Sequence, residues 1–208
     1  MEEYHKIESI FNRSKKGKFV EGDRRCSEFE YLAHNTWIWT EKVNGTCMRI
    51  QWHGNTGQVR YRGKTDNAQI PFAIYEKLEE ILTPSKFQLP YPETSMCLYG
   101  EGYGARIQKG GGNYISDGVS FVLFDVKVGE WWLRRPDVED IASKLGIEVV
   151  PVVDKGTMYD AIDMVKGGFN SIWGAFPAEG LVLRPEVELR SRGGKRIITK
   201  LKTKDFDW

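Results

Sequence analysis

Lys42 closes the stretch Thr36-Trp37-Ile38-Trp39-Thr40-Glu41 and runs directly into Val43-Asn44-Gly45. A lysine at the end of so apolar a segment acts as a nucleophile only when its amine is neutral, which requires desolvation or a neighbouring cation. Lys200 and Lys202 could supply that cation, because an i, i+2 pair on a strand places both ammonium groups on one sheet face, the arrangement that phosphate contacts need. Two carboxylates stand beside glycines: Glu101 in Tyr99-Gly100-Glu101-Gly102, and Glu179 in Ala178-Glu179-Gly180-Leu181. Small neighbours admit a ligand closely, and carboxylate oxygens suit Mg²⁺ or Mn²⁺ held together with phosphates, or a ribose hydroxyl. Asp125 lies inside Phe121-Val122-Leu123-Phe124-Asp125-Val126, where an ionised group is costly unless it is paired or functional.

The elements that must position these residues follow from periodicity. Residues 36–41 are rich in aromatic and β-branched types and predict a strand. Residues 46–52 and 58–62, joined by His53-Gly54-Asn55-Thr56-Gly57, predict an antiparallel hairpin. Further strands are expected at 96–100, 119–128, 179–183 and 196–201. Pro71 opens a predicted helix in which Phe72, Tyr75, Leu78, Ile81 and Leu82 recur at helical spacing, and Pro84 ends it. A second helix starts after Pro136 and stops at Gly146; a third covers 157–166 and closes at Gly167-Gly168. Strands dominate and helices are interspersed, so the expected class is α+β with mostly antiparallel sheets. The segment 106–113, with three consecutive glycines, is the most mobile loop expected.

Composition narrows the function classes. The chain has 208 residues, of which 40% are hydrophobic and 12% aromatic, enough for a sizeable core and unlike disordered or coiled-coil sequences. No apolar run reaches the length of a membrane span, and the acidic start Met1-Glu2-Glu3 is unlike a signal peptide, so an intracellular, cytoplasmic protein with no membrane partner is expected. Cys26, Cys47 and Cys97 are odd in number and lack CxxC spacing, which predicts buried thiols rather than disulfides or a zinc site. The net charge is only +1. Between Arg184 and Lys204, however, eight basic residues face two acidic ones, Glu186 and Glu188, so positive charge is concentrated at one end of the sequence.

Taken together and in this order, the segments resemble the covalent nucleotidyltransferases, the superfamily of ATP-dependent polynucleotide ligases and mRNA capping enzymes. Lys42-Val43-Asn44-Gly45 matches the nucleophile motif Lys-x-Asp/Asn/His-Gly, and Arg62 falls in the arginine motif that follows it. Leu98–Gly102 resembles the third motif with Glu101, Phe121–Asp125 the aromatic-acidic strand, Glu179-Gly180-Leu181-Val182 the fourth motif, and Lys200-Leu201-Lys202 the fifth, Lys-x-Lys. Asn44 in place of the Asp usual in DNA ligases and capping enzymes, the nucleophile near the N-terminus, and the run Trp37–Lys42 are similar to RNA ligases of the phage T4 RNA ligase 2 type.

That resemblance implies an α+β nucleotidyltransferase fold and a three-step reaction with ATP and Mg²⁺ or Mn²⁺. Lys42 would take AMP from ATP, pass it to an RNA 5′-phosphate, and a 3′-hydroxyl would displace it. It further implies that Lys200 and Lys202 hold the α-phosphate, that Asn44, Gly45 and Arg62 line the nucleotide or the nucleic-acid end, and that Glu101 binds the ribose. Glu179 and Asp125 are the implied metal ligands. Phe124 is the implied adenine platform, with Phe121 as the alternative because the strand face is not fixed by the sequence. The partners implied are RNA ends or a nicked duplex, in a cytoplasmic or phage-encoded enzyme. With six residues after Lys202, one adenylyltransferase domain over 1–208 is expected, without a C-terminal OB-fold or helical domain, and a partner protein could supply that domain. A DNA ligase catalytic core is one alternative. The other is a nucleic-acid-binding relative that has lost catalysis, which covalent labelling by ATP distinguishes.

Overall fold

The computed structural model describes residues 2–206. In chain order, the first elements are β1 (Glu8–Ser9), β2 (Phe11–Arg13), β3 (Phe19–Arg24), α1 (Ser27–Tyr31) and β4 (Trp37–Glu41). Next come β5 (Thr46–His53), β6 (Gln58–Gly63), α2 (Phe72–Ile81), α3 (Pro84–Gln88), β7 (Met96–Gly104), β8 (Val119–Val128), β9 (Trp131–Trp132), α4 (Arg135–Leu145) and β10 (Glu148–Val149). The chain ends with β11 (Val152–Gly156), α5 (Met158–Gly167), β12 (Gly180–Pro185) and β13 (Thr199–Lys202). These elements form two compact units: residues 2–5 with 44–150, and residues 6–43 with 151–206. No helix among the described residues is long and apolar enough to cross a membrane.

In the first unit a sheet runs β10-β8-β7-β5-β6, with β9 paired to β8. Only β10 runs parallel to its neighbour. One face is the core, where Met48, Ile50, Trp52, Leu98, Phe121 and Leu123 meet Ile74, Leu78 and Leu82 of the α2 region and Val138, Ile141 and Leu145 of α4. The helix face differs from the expected one. Phe72 is 72% exposed and Tyr75 36% exposed, while Ile74 is fully buried. Both sets of positions fit a 3.6-residue period, so sequence spacing alone does not separate them. Pro84 does more than end α2: it sits in the first turn of α3, where its missing N–H costs nothing.

The second unit carries the sheet β1-β13-β12-β4-β11, in which only the β1–β13 pair is parallel. Trp37, Trp39, Leu181, Leu183 and Leu201 point to its core and meet Met158, Ile162 and Val165 of α5. That helix starts as its sequence predicts. The Thr157 side chain accepts from the Asp160 N–H while the Asp160 carboxylate accepts from the Thr157 N–H, closing a capping box. The short, polar strands β1 to β3 have no hydrophobic alternation and were not expected. The strand foreseen at 196–201 is hydrogen-bonded as a ladder only from Thr199 onward, and Arg196 instead forms an isolated bridge with Arg190.

Gly180 opens β12 at φ +150, and a Cβ there would lie 2.0 Å from the Leu201 carbonyl oxygen. Gly180→Ala is therefore expected to destabilise the protein by about 2 kcal/mol or more, through strain and a backbone clash. Thermal unfolding checks this; an unchanged midpoint would contradict the clash.

Candidate active site

In the second unit three strand ends place three charged side chains together. Glu41 ends β4, Gly180 begins β12 and Lys202 ends β13; the Gly180–Lys202 and Leu181–Glu41 registers bring these ends side by side. The Lys42 N–H donates to the Gly180 carbonyl at 2.9 Å, and the Thr203 N–H to that of Glu179 at 3.0 Å. The backbone on both sides of the cluster is thus fixed by ladder-type bonds, and Glu179 lies between two cations. Lys42 Nζ donates to Glu179 Oε2 at 2.8 Å, and Lys202 Nζ lies 2.8 Å from Glu179 Oε1. Lys200 shares the sheet face of Lys202, two residues away on the same strand.

The cluster is desolvated, with the three side chains 17–23% exposed. Burial alone would push the Glu179 carboxyl up, but the Lys42 charge and the hydrogen bonds from Lys202 and Lys42 outweigh it, and the net shift is downward. A carboxyl whose folded-state value lies below its unfolded one adds stability that is present above the unfolded value and lost as pH falls through the lowered one. The stability gap between wild type and Glu179→Gln is accordingly expected to be widest near neutrality and to close below about pH 4. Thermal midpoints from pH 7 to pH 3 check this; a gap that grows in acid contradicts it.

Immediately before the nucleophile candidate, Glu41 is 1% exposed and accepts the Ile172 N–H at 2.8 Å. Burial drives its carboxyl above the ordinary carboxylate range, partly opposed by hydrogen bonds from Ser171 and Ile172. This residue ties the loop that precedes Glu179 to the strand that carries Lys42. The sequence offered one sign of it, a carboxylate ending an otherwise apolar strand.

The first unit holds the remaining candidates. Asn44 donates twice: its Nδ2 to the Lys109 carbonyl at 3.0 Å and its backbone N–H to the Tyr114 hydroxyl at 3.2 Å. The glycine-rich loop expected to be mobile is thus attached to the nucleophile motif. Gly45 is required by proximity, since a Cβ would lie 2.3 Å from the Gly102 carbonyl oxygen and 2.8 Å from Glu101 Cγ. Glu101 pairs across the ladder with Cys47, on the sheet face opposite the core. Arg62 is exposed on β6 and registers with Arg49, whose buried guanidinium donates to the Gly63 carbonyl and pairs with Asp66. Cys47 and Cys97 are partly rather than fully buried, and burial, reinforced at Cys47 by the Glu101 charge, pushes their thiols up to about 12 and about 11. They stay protonated and are poor nucleophiles.

The two phenylalanines separate on structural grounds. Against β7, β8 carries a register shift between Tyr99 and Gly100: Asp125 faces Tyr99 and Leu123 faces Gly100, with Phe124 as the extra residue. Such a bulge resets the inside–outside alternation. Phe121 is 2% exposed in the core and packs over Gly100, so it is no platform for a ligand. Phe124 is half-buried and meets the Tyr4 ring edge-on at 5.0 Å. Asp125 is fully buried and accepts the Tyr4 hydroxyl at 2.6 Å. A carboxylate enclosed in this way anchors the N-terminal segment, which also touches Tyr99 and Trp132 through Tyr4, and it is removed here from the metal ligands expected in the sequence. Among the described residues, no cluster of three or more His, Cys, Asp or Glu side chains could hold a metal unaided. Glu179 alone fits Mg²⁺ or Mn²⁺ bound jointly with substrate phosphates, since such ions keep waters and need only one or two protein carboxylates.

The RNA ligase family profile matches residues 35–202, and the chain belongs to that family. No curated protein sequence matches the chain. Among solved structures, a Naegleria gruberi RNA ligase variant with ATP and Mn aligns at TM-score 0.68 and 16% identity, over 97% of this chain and 62% of that one. The same ligase with pyrophosphate aligns at TM-score 0.67 and 17% identity, over 98% and 62%. A further variant with AMP and Mn gives TM-score 0.68 and 16% identity, over 97% and 62%. The chain therefore has the mixed, mostly antiparallel α+β fold of these ligases and spans about 62% of their length.

Proposed function

We propose that this chain is the adenylyltransferase part of an ATP-dependent RNA ligase, its two units together forming that part. The observation that carries the proposal is the Lys42–Glu179–Lys202 cluster, within a family match that covers all six motifs. Lys42 Nζ attacks the α-phosphorus of ATP; a P–N bond forms, the bond from that phosphorus to the bridging oxygen breaks, and pyrophosphate leaves. AMP then moves to an RNA 5′-phosphate, and a 3′-hydroxyl displaces it to join the strands.

Each step asks for positioning and charge neutralisation more than for elaborate covalent chemistry. Glu179 holds the Lys42 amine in place. Lys200 and Lys202 take the α-phosphate. Glu101 accepts a ribose hydroxyl, Phe124 meets the adenine, Arg62 takes phosphate or the nucleic-acid end, and Asn44 and Gly45 fix the turn that follows the nucleophile. A divalent ion at Glu179 supplies charge neutralisation of the phosphates when bound. Asn44, where DNA ligases usually have Asp, supports a reading nearer to the phage T4 RNA ligase 2 type than to DNA ligases. ATP dependence together with three free thiols favours the reducing cytoplasm as its location.

Joining assays on matched RNA and DNA nicks, with and without a pre-adenylylated 5′ end, test the proposal. Sealing of the RNA nick, with the DNA nick at least about tenfold slower, is expected. Equal or faster sealing of DNA would favour a DNA ligase core, and RNA binding with no covalent adenylate would favour a non-catalytic relative.

A further inference from the structure

A cavity of about 630 Å³ lies within the second unit, where the edge pair β1–β13 meets the β2–β3 hairpin. Six cationic side chains line it, Lys6, Arg13, Arg25, Lys200, Lys202 and Lys204, against two carboxylates, Glu8 and Asp205. Glu8 is shared, lying 3.5 Å from Lys6 and 3.6 Å from Arg25, and Asp205 pairs with Arg13 at 2.8 Å. Among the described residues, the lining thus carries more cationic than anionic side chains. Lys6, Arg13 and Arg25 belong to none of the six motifs, and the two acidic partners fix their heads along the rim.

We propose that this hollow binds the phosphodiester backbone of the RNA strand being joined; the inference rests on the RNA ligase reading above. Lys202 belongs both to the cavity wall and to the cluster that holds Lys42, so phosphates in the hollow lie next in line to the reacting one. The cations come from the segment before β1, from β2, from just after β3, and from β13 and the segment that follows it, and are spread as a track rather than gathered around one point, which suits a polyanion. Among the described residues, Phe11 is the one aromatic in the lining, and it is buried against Phe19, so the described lining offers contacts to phosphates rather than a ring on which a base stacks. Contacts of this kind position a strand without reading its sequence.

The test compares the full chain with a variant carrying Lys6→Gln, Arg25→Gln and Lys204→Gln, three exposed residues outside the reacting cluster. The probes are a nicked RNA duplex with a pre-adenylylated 5′ end and, separately, labelled ATP with Mg²⁺. RNA affinity is expected to fall about tenfold at low salt and the slope of log affinity against log salt to flatten by about 2 to 3, as expected for the loss of three phosphate contacts, with the ATP labelling rate unchanged. Lys6→Gln alone, at a side chain 71% exposed, gives a fold-neutral check with a smaller shift in the same direction. Slower ATP labelling with unchanged RNA affinity would overturn the proposal and assign the hollow to the ATP triphosphate. Unchanged values in both would leave only a solvated basic surface, which also overturns it. If the wild type forms no adenylate yet the variant still loses RNA affinity, the ligase reading fails and the hollow stands; a wild type that binds no RNA at low salt refutes the hollow.

Discussion

The Lys42→Ala variant is expected to form no covalent adenylate, a loss of at least about a thousandfold against wild type. Every other lysine near the proposed chemistry lacks one of the conditions that Lys42 meets. Lys42 is only 22% exposed, its backbone is fixed to Gly180, and its amine is held by Glu179 at 2.8 Å. Lys202 shares the carboxylate but ends a strand in the fifth motif, where it suits phosphate binding. The substitution removes a side chain at a strand end and leaves the hydrophobic core untouched, so the thermal midpoint should change little. A Lys42→Ala protein that folds and still labels at a wild-type rate would show that another nucleophile operates.

Glu179→Ala is the second large effect, expected to slow adenylylation by about a hundredfold or more. It removes the one carboxylate between Lys42 and Lys202 and leaves two cations facing each other in a partly desolvated site. Its proposed second role as a metal ligand gives a distinctive signature: raised Mn²⁺ or Mg²⁺ should restore part of the rate. Glu101→Ala, which would lose the proposed ribose contact, should be slow at every metal concentration and should show its defect mainly in KM for ATP. Identical, metal-insensitive defects in the two variants would contradict the separate roles.

Much of this site was legible before any coordinates because its residues sit at strand ends marked by glycine. Lys42, Glu179 and Lys202 fall at or beside the ends of the strands expected at 36–41, 179–183 and 196–201, but the registers of β4, β12 and β13 that bring them together join segments far apart in the chain and carry no local signal. What the sequence concealed has identifiable causes. The bulge at Phe124 changes the face of the strand between Phe121 and Asp125, so alternation could not say which ring lies outside. The partner of Asp125 is Tyr4, 121 residues away, and nothing local distinguishes a carboxylate bound by a distant hydroxyl from a metal ligand. The β1 to β3 strands are two to six residues long and mostly polar, so they carry no periodic signal, yet they and the residues that flank them supply Lys6, Arg13 and Arg25 to the basic hollow. The basic run 184–204 is likewise more than a solvated face, because Arg196 is locked onto Glu188 by two hydrogen bonds of 2.6 and 2.9 Å and Lys202 onto Glu179.

The most direct measurement is the position of the AMP after incubation with ATP and Mg²⁺ or Mn²⁺. The wild-type protein would be digested and the adduct located by peptide mass spectrometry, with its stability in acid and alkali recorded alongside. The expected result is a single AMP on Lys42, acid-labile and alkali-stable as a P–N bond to lysine requires. AMP on Lys200 or Lys202, or joined RNA from a protein that never carries AMP, would contradict a ligase built around Lys42.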